Sequence, residues 1–153
     1  MSEKDFYEPI QKFIKKKYNC FFVKQRVGKQ VYGYADVLGI SRKNKEQSAI
    51  EVIGVEIKSW KKEVCRGFGQ AKGYSVFCHR IYYAAPKMID NMETFSEEDK
   101  EIAKYLGIGL IEIRIRNAGY VCYEVLEAPA NIPLTNCLDT VLKTVGMHQF
   151  CST

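Results

Sequence analysis

Residues 50–60 read IEVIGVEIKSW. A short run so nearly continuous in aliphatic side chains predicts a strand at the centre of a sheet, buried on both faces. Strand alternation places Ile53, Val55 and Ile57 on one face and Glu56 with Lys58 on the other, about 6.6 Å apart along the chain. A carboxylate and an amine therefore leave the end of a buried strand side by side. Working outward, two shorter aromatic and β-branched runs precede this strand: CFFVKQRV at 20–27, interrupted after Val27 by Gly28, and VYGYADVLGI at 31–40. They read as adjacent strands, with the polar stretch SRKNKEQS at 41–48 as the loop into the central one. Residues 3–18 place Phe6, Ile10, Phe13 and Ile14 at helical spacing behind Ser2, a candidate N-cap.

Downstream of Trp60, a helical stripe runs through Val64, Phe68, Ala71, Ser75 and Cys78. Gly67, Gly69 and Gly73 weaken it, so a helix here implies that something packs closely against it. RIYYAAP (80–86) and IGLIEIRI (108–115) predict further strands, separated by a helix from Ser96 to Leu106 that opens on the capping box Ser96-x-x-Asp99. A last strand near 119–127 and a short helix near 134–144 complete the order. The pattern α-β-β-β-α-β followed by α-β predicts an α/β fold, a mixed sheet covered by helices.

The 153 residues suit one domain, and folding at this length buries roughly two-thirds of the chain's surface. No apolar run reaches the ~18 residues of a membrane span and MSEKDFYEPI lacks a signal-peptide core, so an intracellular location is expected. The six cysteines form no C-x-x-C pair, which speaks against a zinc site or a disulfide framework. No phosphate-binding glycine loop of the G-x-x-x-x-G-K type is present, and His79 and His148 lack partners at ligand spacing. The net charge of +5 is unevenly spread: +9 over residues 1–80 and −4 over 81–153. A basic half of this kind suits a polyanion, most simply nucleic acid.

Asp36 is a lone acid in an otherwise apolar run, and buried carboxylates are expensive unless paired or bound to a metal. If the second and third strands pair, about 4.8 Å apart, Asp36 and Glu56 approach one cation, and Mg²⁺ is commonly held by one or two carboxylates plus water. On the next helix Arg66, Gln70 and Tyr74 fall at i, i+4 and i+8, a polar row beside the apolar stripe.

Asp36, the Glu56-Ile57-Lys58 tripeptide and Gln70-Ala-Lys-Gly-Tyr74 resemble the D…E-x-K…Q-x-x-x-Y signature of the PD-(D/E)xK nuclease superfamily, with its restriction-endonuclease-like core of α-β-β-β-α-β order. The resemblance covers about residues 3–86, leaving 87–153 as a C-terminal elaboration of the same domain. Ala35 stands where that family often has proline, and Cys122, Cys137 and Cys151 do not match the clustered iron–sulfur cysteines of some members. The resemblance implies a Mg²⁺- or Mn²⁺-dependent nuclease acting on DNA. In it Asp36, Glu56 and the Ile57 carbonyl hold the metal, and Glu8 resembles the extra acid that several members place nearby. Lys58 and Gln70 orient water and substrate. Arg66 and Tyr74 contact the DNA backbone, and Arg26, Lys61, Lys62 and Lys72 extend the phosphate track. A homodimer is a natural expectation, since one small site cuts one strand. The alternative is a non-catalytic nucleic-acid-binding or assembly module on the same fold.

Overall fold

The computed structural model describes residues 2–43, 49–59, 64–88 and 91–152. Its centre is a six-stranded sheet whose spatial order follows the chain: β1 (Phe22–Lys29), β2 (Gly33–Arg42), β3 (Ile50–Ile57), β4 (Arg80–Pro86), β5 (Gly109–Arg116) and β6 (Gly119–Leu126). β3, β4 and β5 are parallel to one another and the remaining neighbours are antiparallel. Parallel neighbours require crossovers, supplied by α2 (Val64–Gly73) between β3 and β4 and α3 (Glu97–Leu106) between β4 and β5. All eight residues of β3 are buried, as its aliphatic run predicts.

Two hydrophobic layers sandwich the sheet. Ile53, Val55 and Ile57 face one layer with Phe6, Tyr7, Ile10 and Ile14 of the N-terminal segment. The opposite layer gathers Phe68 and Ala71 from α2, Ala103 from α3, and Val141 and Leu142 from α4 (Thr135–Thr144). Both crossovers lie on this side because successive right-handed connections moving in one direction along a sheet pack on one face. No helix of the described residues is long and apolar enough to cross a membrane.

The N-terminal segment, predicted as one helix, divides into a 3-10 turn (Glu3–Phe6) and α1 (Tyr7–Tyr18). Pro9 explains the break, since it has no N–H to donate to Asp5, and it is tolerated only in the first turn of the α-helix that follows. α2 forms despite its glycines. A Cβ at Gly67 would stand 2.2 Å from Cε2 of Tyr83, so glycine is what lets the helix lie on that ring. Ser96 caps α3 as expected, accepting from Asp99 N at 3.1 Å and donating to Asp99 Oδ2 at 2.9 Å.

Candidate active site

The site forms where two strands break their alternation together. Ala35 and Leu38 both face the layer beneath α2–α4, whereas Val37 between them faces α1; strict alternation would put Ala35 with Val37. β2 thus turns over at Asp36. On β1 the matching position is Arg26, which lies between the pairs Gln25↔Val37 and Val27↔Ala35 and takes a φ of 53°, a left-handed conformation costing about 1–2 kcal/mol. On the other side the β2–β3 ladder ends at Val37↔Val55, so the next residues outward are Asp36 and Glu56. Beyond this point the Asp36 side chain replaces the lost ladder bond: its Oδ2 accepts the Ile57 N–H at 2.7 Å. The two carboxylates are thereby set against each other at the carboxyl end of a strand in the parallel part of the sheet, where α/β folds place their ligands.

Both acids are buried, Asp36 at 8% exposure and Glu56 at 4%. Asp36 Oδ1 accepts from the Tyr7 hydroxyl at 3.0 Å. Glu56 Oε1 pairs with Lys58 Nζ at 3.0 Å, and its Oε2 accepts from the Tyr74 hydroxyl, which also contacts the Tyr34 carbonyl at 2.9 Å. These four donors do not discharge the pair. Burial pushes the Asp36 carboxyl above its ordinary range, opposed by Ile57 N–H and Tyr7. Burial, and then the negative charge of Asp36, push Glu56 upward against Tyr74 and Lys58. Two desolvated carboxylates that resist joint ionisation are relieved by a cation between them. Their hard oxygen donors fit Mg²⁺ or Mn²⁺. Among the described residues no group of three or more acidic, histidine or cysteine side chains is placed to hold a metal ion.

The architecture recurs among solved proteins. An SPO1766 protein of unknown function from Silicibacter pomeroyi is similar with a TM-score of 0.58 at 15% sequence identity, over 97% of this chain and 86% of that one. The structure of Pyrococcus furiosus SfsA in complex with Ca²⁺ gives a TM-score of 0.42 at 16% identity, over 85% of this chain and 62% of that one. The first likeness establishes the fold alone, and the second is too distant to bear on it. No family model and no curated protein matches the sequence.

Several residues singled out in the sequence lie elsewhere than expected. Glu8 is exposed and paired with Lys12 at 3.0 Å, on the outer face of α1. The N-terminal acid whose charge reaches Asp36 is Glu3, in the 3-10 turn ahead of the helix. Tyr74, expected to contact DNA, is buried and holds Glu56 instead. Gln70 and Arg66 are exposed on α2, and Gln70 is not among the side chains bonded to the acid pair. Lys72 extends toward Gly107, which ends α3; its ammonium is 3.7 Å from where a Cβ of that glycine would be, a favourable place for a cation at a helix C-terminus. Arg26 is exposed, and its charge reaches the Tyr7 hydroxyl. Lys61 and Lys62 lie outside the described residues. Ile57 offers Asp36 its N–H, and a residue's carbonyl in a strand faces the same neighbour, so that oxygen also looks toward β2. Sequence reasoning missed Tyr7. Its signal was a hydroxyl-bearing ring on the stripe Tyr7, Ile10, Ile14, the side of α1 that must be buried.

Proposed function

We propose that this chain is a metal-dependent nuclease that hydrolyses phosphodiester bonds in DNA, on a restriction-endonuclease-like core. The observation that supports it best is the opposition of buried Asp36 and Glu56 across the parted β2–β3 ladder, with Lys58 3.0 Å from Glu56. Asp36 and Glu56 would hold Mg²⁺ or Mn²⁺, which when bound supplies Lewis acidity and a water of lowered pKa. Lys58 is half-buried, so its ammonium opposes negative charge gathering on a phosphoryl group with little screening by solvent. Tyr7 and Tyr74 each fix one carboxylate, holding the pair in place before substrate arrives. Arg66 and Gln70 on α2 and Arg26 on β1 are the exposed polar groups on flanking elements that suit a DNA backbone. A duplex presents two strands to one small site, so two copies acting together are part of this reading.

Labelled duplex, single-stranded and branched DNA incubated with Mg²⁺ or Mn²⁺ tests it. The wild type is expected to cut at least one of these, and Lys58→Ala and Asp36→Ala to cut none while keeping the wild-type circular dichroism spectrum. Undiminished cleavage by either variant refutes the site. Binding of DNA by the wild type without any cleavage favours the non-catalytic module instead.

A further inference from the structure

Two tyrosines hold the acid pair, and a third stands beside Glu56 on the neighbouring strand. Tyr7 bonds to Asp36 and Tyr74 to Glu56. The third, Tyr83, is fully buried, and its hydroxyl has no hydrogen-bond partner among the described residues. An unpaired buried hydroxyl costs about 1–3 kcal/mol, and a phenylalanine would fill the same space without that cost. The ring cannot swing away to find a partner. Gly67 of α2 lies on it, Phe68 meets it edge-on at 5.0 Å between centroids, and Phe95 does so at 6.0 Å.

The parallel register sets Tyr83 directly beside Glu56, so both side chains leave the same face of neighbouring strands. The acidic groups within electrostatic reach of the hydroxyl are Glu56, Asp99 and Glu3. A donor held rigidly beside Glu56, one of two carboxylates suited to a hydrated divalent ion, matches what such an ion carries around it: water oxygens that accept hydrogen bonds.

Resting on the metal-site reading above, we propose that Tyr83 is a positioning residue of that site, its hydroxyl donating to the hydration water of a divalent cation held by Asp36 and Glu56. Groups that bond to a metal's immediate ligands commonly change metal affinity by about 10–100-fold when removed.

The test uses Mn²⁺ alone as probe, with the full chain and no DNA, reading Mn²⁺ affinity by titration calorimetry and stability by thermal unfolding. Tyr83→Phe is expected to melt at or above the wild-type temperature in the absence of metal, while its Kd for Mn²⁺ rises about tenfold or more. Asp36→Asn, measured alongside, is expected to lose Mn²⁺ binding. If Asp36→Asn loses the metal and Tyr83→Phe binds it as tightly as the wild type, the assignment of Tyr83 is overturned and the metal site stands. A clear fall in the metal-free melting temperature of Tyr83→Phe also overturns it, because the hydroxyl is then already partnered within the fold. Unchanged Mn²⁺ binding in both variants removes the assignment and the metal site together.

Discussion

Tyr74→Phe removes one oxygen and leaves the ring that packs on Phe77, 5.9 Å away between centroids. One donor goes with it, a single proton within reach of both the Glu56 carboxylate and the Tyr34 carbonyl. A bond to a charged group contributes about 1.5–3 kcal/mol, so the variant loses roughly that much. In a domain of this length each kcal/mol moves Tm by about 2–4 °C, which predicts a fall of roughly 3–12 °C. The loss depends on pH. Tyr74 favours the ionised form of Glu56, opposing the burial and the Asp36 charge that push its pKa up. The charge-assisted part is therefore present where Glu56 is ionised and fades as acid protonates it. Melts followed by circular dichroism should show a clear deficit at about pH 7 and a smaller one at about pH 4, near the unperturbed carboxylate range. An equal deficit at both pH values, or a fall of less than about 2 °C at neutral pH, refutes the account of how Glu56 is held.

Asp36→Asn tests the same electrostatics from the other side. The folded-state pKa of Asp36 is raised, so the stability linked to its protonation is complete below the unfolded pKa of about 3.9 and is lost as pH rises through the folded value. The metal-free variant should melt at or above the wild-type temperature at about pH 7, with the difference vanishing in acid; a variant less stable at neutral pH than in acid, relative to wild type, contradicts the sign. Two glycines of α2 form a further pair. Gly67→Ala drives a methyl into Tyr83 and should destabilise by about 1–3 kcal/mol, whereas at Gly69 nothing lies within 4 Å and alanine should stabilise by about 0.5–1 kcal/mol. Chemical denaturation of the two variants should move the midpoints in opposite directions, and like shifts would show that α2 does not lie on Tyr83 as described.

Much of this fold is local, and the local part is legible in the chain. The aliphatic run at 50–57 already implies a central strand, the capping box at Ser96 marks the start of α3, and the glycines of α2 imply a close neighbour. Period-two alternation puts Glu56 and Lys58 on one face, and their ion pair follows. The register of β2 against β3 then brings Asp36 opposite Glu56. The remainder depends on where strands part and helices land, which no periodicity encodes. Alternation alone does not reveal that β1 and β2 turn over together at Arg26 and Asp36, since that irregularity needs both strands and the layer packed on each face. Helical spacing groups Tyr74 with Arg66 and Gln70 as a polar row, yet α2 ends at Gly73 and Tyr74 opens a 3-10 turn (Tyr74–Val76), buried against Glu56 while the other two are exposed. Glu8 and Glu3 look equivalent in the chain. Pro9 restarts the helix after the turn, sending Glu8 outward to Lys12 and leaving Glu3 within reach of Asp36. The sequence by itself determined which strand carries the acid and the lysine; tertiary packing decided which tyrosines hold the carboxylates, because hydroxyl partners are set by contacts between elements far apart in the chain.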